Sequence, residues 1–447
     1  MKRKKPTASA PANQLQIGMQ LALAKHQAGQ IQAAADHYRV ILSLAPDLPD
    51  ALHYLGVAEH QLGRPNEAAR LIDRAVTLAP SYVDAHNNLG NVYKELGELT
   101  QAEKAYRAAI AVRPQFVMAH NNLGVVLAKQ ERFDEAIASY QQAVTLKDDF
   151  ADAWHNLGNT LKKAGLIEDA LTAYRRAIEL APYTPGAYQD LGRALAISKR
   201  FDEALMVYKQ WHALDPNNPV IEHMIAAYEG ESRLSRASDG YVQATFNSFA
   251  ESFDEVLAHL DYQAPALTGE LVAAILVEPA ATLQVLDAGC GTGLCAPYLK
   301  PYAATLVGVD LSEGMLAQAA LRHSYDRLDQ AELTVYLGTH LGQFDLIVSA
   351  DTLCYFGALQ DVLTAAAQAL RPGGHLIFTV EERGADCSPG YTLQHHGRYT
   401  HSVGYVNGLL ESTGLSIKAM SQVTLRTESD LPVKGLLVAA HRAWSQA

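Results

Sequence analysis

The chain has 447 residues, of which 49% are hydrophobic and 19% charged, and a formal net charge of −12. That length allows two or three domains with a core each, and the composition is too apolar for a disordered chain. The negative balance excludes a general grip on nucleic acid, which needs clustered Lys and Arg.

The start, "MKRKK", predicts a short basic tail, solvated and disordered, over residues 1–14. The next stretch, "PTASAPANQLQ", has no apolar core of the secretory kind, and no apolar run reaches the roughly 20 residues that cross a bilayer. A cytoplasmic protein without a membrane span is expected. Cys290, Cys295, Cys354 and Cys387 are scattered with no C-x-x-C pair, so reduced thiols are expected and neither a zinc site nor a disulfide framework.

A period of 34 governs the first half. Ala51, Ala85, Ala119, Ala153 and Ala187 recur at that spacing, as do Gly56, Gly90, Gly124, Gly158 and Gly192. Leu55, Leu89, Leu123, Leu157 and Leu191 precede the glycines, and Pro46, Pro80, Pro114, Pro182 and Pro216 stand at repeat ends. The pattern predicts helical hairpins. Small residues sit where two helices cross, Tyr106, Tyr140 and Tyr174 fill the space to the next hairpin, and proline stops the second helix. The set resembles the tetratricopeptide repeat, in six copies that with a closing helix span 15–229.

Such arrays stack into a superhelix with a concave groove. Asn88, Asn122 and Asn156 form a row two residues before the signature glycines, in "HNNLG" twice and "WHNLG" once. An amide both donates and accepts, so the row suits an extended polypeptide. The resemblance to peptide-binding arrays implies a protein or peptide partner at these residues. A polar linker is expected over 230–240.

From Leu283 onward, short β-rich runs alternate with helical segments. "LQVLDAG", "TLVGVDLS", "FDLIVSAD" and "GGHLIFTVEE" give the βαβ rhythm of a doubly wound sheet, with its ligand at the carboxyl ends of the strands. The loop "DAGCGTG" misses the dinucleotide spacing, because Gly293 falls one place early. Its order instead resembles the first motif of class I S-adenosylmethionine-dependent methyltransferases. Asp310 at the end of "LVGVD", Ser312 opening a helix, and "LRPGGHLIF" follow in that family's order.

The resemblance implies an N-terminal α-solenoid followed by a Rossmann-like, seven-stranded methyltransferase domain over 241–447. It implies S-adenosyl-L-methionine as cofactor, held by Asp287, Gly289, Cys290, Gly291, Gly293, Asp310, Leu311, Met315, Glu332 and Asp351. The glycines admit positive dihedrals and clear the methionyl end, Asp287 adds negative charge, Asp310 takes the ribose, and Glu332 meets the adenine amine.

On the acceptor side, Tyr355 follows the fourth strand beside Asp351 and Thr352. "LQHHGRYTHSVGYV" offers Tyr399 and His401 as candidate catalytic groups, together with His395, His396 and Arg398. His-His-x4-His without a supporting acid does not make a metal site. "YVQATFNSFAESFDEVL" with Phe246, Phe249 and Phe253 reads as core packing or as a lid. Apart from the basic tail, the chain resembles predicted bacterial methyltransferases that carry tetratricopeptide repeats. Three roles follow: methyl transfer with the repeats recruiting a protein, methyl transfer to a small metabolite with the repeats used for assembly, or an adaptor with a vestigial catalytic fold.

Overall fold

A computed structural model describes residues 12–230, 234–276, 278–384, 390–428 and 431–444. The basic tail, Cys387 and part of the expected linker lie outside the described residues. Contacts divide the chain into Met1–Ser198 and Lys199–Ala447. The second unit thus begins upstream of the expected array boundary at 229.

The first unit is a run of helices in pairs, such as Val83–Glu95 with Leu99–Val112 and Val117–Lys129 with Phe133–Leu146. The repeat glycines explain the pairing. A Cβ at Gly90 would lie 2.5 Å from the Tyr106 ring, and one at Gly124 or Gly158 would lie 2.7 Å from Tyr140 or Tyr174. Each tyrosine therefore seats on the glycine of its own hairpin, and Tyr140 also reaches Thr160 of the next. The ring needs the space that a side chain would take, and its hydroxyl then reaches an amide: Tyr106 donates to Asn91 Oδ1 at 2.8 Å. The second helices stop at Leu44, Leu78 and Val112, two residues before proline, which lacks the N–H to continue the ladder.

The second unit opens with helices Phe201–Leu214 and Pro219–Glu229. They pack on later residues of the same unit: the Phe201 ring stacks on His395 at 3.9 Å, and His223 Nε2 bonds Gly397 O at 2.9 Å. These contacts give the last repeat's residues to the second unit.

Its sheet holds β1 (Leu283–Ala288), β2 (Ala303–Asp310), β3 (Arg327–Gln330), β4 (Phe344–Ser349), β5 (Leu370–Glu382), β6 (Tyr391–Leu393), β7 (Tyr399–His401), β8 (Leu415–Glu428) and β9 (Leu431–Arg442). Strands β3-β2-β1-β4-β5 run parallel, β9 pairs antiparallel with β5, and β8 pairs antiparallel with β9. Those seven match the expected sheet. The β6–β7 hairpin is an addition, its β7 pairing with the end of β5 at Glu381 and Glu382. Both faces of the sheet are buried, by Leu286, Val307, Ile347 and Phe378 among others and by Val285, Leu306, Leu346 and Ile377. This is why the central strands read as continuous apolar runs.

Candidate active site

The turn after β1 is shaped by backbone that only glycine adopts freely. Gly289, Gly291 and Gly293 have φ of 78°, 54° and 89°. They serve different ends. A Cβ at Gly289 would strike Thr352 Oγ1 at 2.2 Å, and one at Gly293 would meet Tyr325 at 3.0 Å, whereas one at Gly291 meets nothing within 4 Å. Gly291 faces open space. The loop is tied to β2: Gly289 and Cys290 donate N–H to Val309 O, and Gly291 N donates to Asp310 Oδ2 at 2.9 Å. Asp310 Oδ1 accepts from Ser312 N at 2.8 Å. Burial pushes this carboxyl up, and the N–H bonds from Ser312 and Gly291 oppose the rise. The Leu311 N–H bonds it as well, so the carboxylate keeps about one lone pair for a further donor.

A cavity of about 310 Å³ opens at this loop. Its near wall is Gly289, Cys290, Gly291, Asp310, Leu311 and Met315, with Leu333 and Glu332 beyond. Its roof is Phe246 from the helix Asp239–Asn247, Phe253 and Leu257 from the helix Phe253–His259, and Phe249 from the segment between them. Its far wall is Asp351, Tyr355, Tyr262, Arg398, Arg426 and Glu428. The roof is fastened by polar contacts. Asn247 Oδ1 accepts from Ser312 Oγ at 2.6 Å and from Gly314 N at 3.0 Å, and Asp254 accepts from Thr292 and Arg322.

Two of the expected cofactor residues lie off the cavity. Gly293 packs on Tyr325 and Arg322. Asp287 is buried behind the loop, its Oδ2 accepting from Tyr325 Oη at 2.6 Å. Burial, with Asp310 adding to it, pushes the Asp287 carboxyl up to about 7 against the pull of the Tyr325 hydrogen bond. Glu332 lines the cavity but spends its carboxylate as a helix cap, accepting from Val335 N at 2.9 Å and Thr334 Oγ1 at 3.0 Å.

Of the acceptor-side candidates, Tyr355 reaches the cavity and Tyr399 and His401 do not. Both belong to β7, whose pairing with β5 and β6 buries them. Tyr399 donates to Leu234 O at 3.0 Å, and His401 Nε2 bonds Phe356 O at 2.8 Å. Burial lowers the His401 ring to about 4, so it is neutral at pH 7. They support the wall from behind. The histidines of this segment have separate partners, His395 on Phe201 and His396 beside Glu381.

The charged network was hidden in the sequence. Arg426, on β8, holds Asp351 and Glu428 at 2.7 Å each and also contacts Glu381. Arg398 holds Glu381 at 2.5 Å and Glu428 at 2.6 Å. Burial would raise the Glu381 carboxyl, but the two guanidiniums hold it below its ordinary value.

In the first unit, the asparagine row is part of a seam. Asn88 Nδ2 donates to His53 Nε2 at 2.8 Å, Asn122 Nδ2 to Asn87 Oδ1 at 3.1 Å, and Asn156 Nδ2 to Asn121 Oδ1 at 3.3 Å. His155 Nε2 and Asp190 Oδ2 continue it at 2.9 Å. Each bond joins one repeat to the next, so part of the amides' capacity expected for a partner is spent inside the array.

Residues 286–378 match the family described as Methyltransferase domain, spanning the glycine loop to β5. Residues 19–83, 87–151 and 151–183 match families described as Tetratricopeptide repeat. The chain joins tetratricopeptide repeats to a class I methyltransferase domain. Over 112 residues the methyltransferase domain is 33% identical to a ubiquinone biosynthesis O-methyltransferase of Thiobacillus denitrificans, covering 24% of this chain and 48% of that protein. Over 96 residues it is 36% identical to a malonyl-[acyl-carrier protein] O-methyltransferase of Enterobacter lignolyticus, covering 22% and 38%. The chain thus spans less than half the length of these relatives. The repeats resemble the solved structure of MamA at 26% identity, covering 36% of this chain and 93% of that one, with a TM-score of 0.34. Among the described residues, no helix is long and apolar enough to cross a membrane.

Proposed function

We propose that the methyltransferase domain moves the methyl group of S-adenosylmethionine to an acceptor that enters beside Asp351, and that the repeats recruit a protein partner. The observation that carries the reading is the open space at Gly291 beside the Asp310 carboxylate. Main chain without a Cβ, next to a carboxylate held by backbone N–H groups, fits a ligand bearing ribose hydroxyls and a cationic methionyl end. Asp310 and Leu311 would hold the ribose, Met315 and Leu333 the adenine, and Gly289 to Gly291 the methionyl group. When bound, the cofactor supplies a methyl carbon activated by positive sulfur.

The domain's own work is alignment and exclusion of water. A roof of phenylalanines and a buried far wall restrict the approach of the acceptor, and placement of that kind supplies much of the rate in displacement reactions. Both relatives carry the name O-methyltransferase, which supports oxygen as the accepting atom. Calorimetry with S-adenosylhomocysteine tests the reading: the wild-type chain should bind, and Asp310→Ala should weaken binding at least about tenfold, or about 1.4 kcal/mol. A folded wild-type chain with no affinity ends the proposal. The repeat reading is tested by crosslinking and pull-down with residues 1–198 intact and with Asn88→Ala; identical captures would exclude Asn88 from partner recognition.

A further inference from the structure

The first helix of the repeat array, Ala12–Gln27, carries a stripe that nothing among the described residues covers. Gln14, Ile17, Leu21 and Ala24 follow one another at spacings of three and four, so they share one face of the helix, and all four are exposed. Ile17 and Leu21 are 58% and 49% exposed. Val40 and Leu44, at the end of the paired helix Ile31–Leu44, are 60% and 54% exposed.

The repeat period shows what these places do elsewhere in the array. The residues 34 on from Ile17 and Leu21 are Ala51 and Leu55. Both are buried in a cluster that includes Ala34, Ala35, Tyr38 and Ile41 of the hairpin before, beside Leu71 and Ala75 of their own. The residue 34 on from Val40 is Arg74, whose guanidinium bonds Asp47 in the turn that follows Ile31–Leu44. These places therefore look backward along the array, toward a preceding hairpin. At the first hairpin they hold large apolar side chains and meet solvent instead. A solenoid ordinarily ends in a polar face, because an apolar end is a stacking surface without its neighbour.

Chemistry selects the occupant. The stripe contains no charged side chain, so a charged partner finds nothing to match, while two copies of the same face bring no like charges together. Arg39, nearby on the second helix, is already paired with Asp36 and Glu59. The residues ahead of the helix, "MKRKKPTASAP", offer Met1 as their one large apolar side chain, too little to cover four others. The three-and-four spacing is also the seam by which two helices lie side by side.

We infer that this stripe joins two copies of the chain about a two-fold axis, with their first helices antiparallel. Ile17 of each copy then packs on Leu21 of the other, Gln14 falls opposite Ala24, and Val40 and Leu44 flank the contact. The second copy gives the first hairpin the neighbour that the following hairpins already have. The inference does not depend on the methyl-transfer reading.

Sedimentation velocity on the full chain tests it. Wild-type protein should sediment with twice the mass of one chain. Ile17→Lys/Leu21→Lys and Ile17→Glu/Leu21→Glu should each sediment as single chains, with association weakened at least about a hundredfold. Both positions are exposed, so circular dichroism should report wild-type helix content in either variant. An equimolar mixture of the two variants should restore the double mass, because lysines of one copy then face glutamates of the other. Ala24→Arg, at the edge of the stripe, gives a milder check and should weaken association about tenfold. Wild-type protein that stays single throughout the concentration series overturns the inference and leaves the stripe to a different protein. A double mass that survives the lysine pair places the contact elsewhere and overturns it too. So does a mixture that remains single, since the two faces then do not meet.

Discussion

Gly291 gives its backbone N–H to Asp310 Oδ2 at 2.9 Å, so the acid at the end of β2 organises the loop after β1 before any ligand arrives. One residue supplies bare main chain and the other the charge that holds it in place. The contrast with Gly289, whose missing Cβ is needed by Thr352, separates ligand space from packing space within one loop.

Two alanine substitutions should therefore behave differently. Gly289→Ala puts a methyl into Thr352 and should lower the melting temperature clearly. Gly291→Ala meets no atom and carries only the left-handed strain, about 1 kcal/mol. Its effect should appear as lost S-adenosylhomocysteine affinity in a chain that still melts near the wild type. Equal melting losses for both would contradict the division.

The raised Asp287 carboxyl sets a pH dependence. Its folded value near 7 lies above the ordinary one, so the protonated acid is favoured in the fold, and stability from this group falls as pH rises from about 4 to about 7. A cationic ligand in the neighbouring loop favours the ionised form. S-adenosylmethionine should then bind more tightly as pH rises through about 7 and release a proton. Calorimetry in buffers of differing ionisation enthalpy counts that proton, and Asp287→Asn should abolish the slope.

Arg426→Met leaves three carboxylates, Asp351, Glu381 and Glu428, without their shared cation in a buried place. Breaking such a network from one side costs about 3 kcal/mol or more. Denaturant melts of the full chain should show the loss in the transition that reports the second unit. A change under about 1 kcal/mol would mean that Arg398 takes over the acids.

The repeat seam predicts an acid-sensitive array. Burial lowers His53 to about 4, against weaker opposing pulls from Asp84 and Asp50. Its stabilising contribution is present above the ordinary histidine value and is lost as pH falls toward about 4, roughly 3 kcal/mol in all. Hydrogen exchange in helices Pro49–Gln61 and Val83–Glu95 should quicken over that window, and His53→Gln should flatten it.

Asn122→Ala removes donors from Asn87 and Asn91 at a buried position, a loss of about 1–3 kcal/mol. The melt of the first unit measures it. Unchanged melting with lost partner capture would instead return Asn122 to a purely recognition role.

What the sequence by itself determined is whatever repeats or sits close along the chain. The 34-residue period places glycine against tyrosine within one hairpin, and "DAGCGTG" with Asp310 marks the loop and the acid it bonds, because strand, turn and strand follow in order. What only the tertiary structure decided is which distant groups meet. Arg426 reaches Asp351 across 75 residues because β8 and β9 fold back antiparallel beside β5, and no local spacing encodes that return. The histidine-rich segment misled for the same reason. Tyr399 and His401 look exposed and reactive in the sequence, yet pairing of β7 with β5 turns them into the cavity's backing and leaves its face to Tyr355, Asp351 and the arginines. Backbone pairing across the sheet, not residue type, chose which side chains face the ligand.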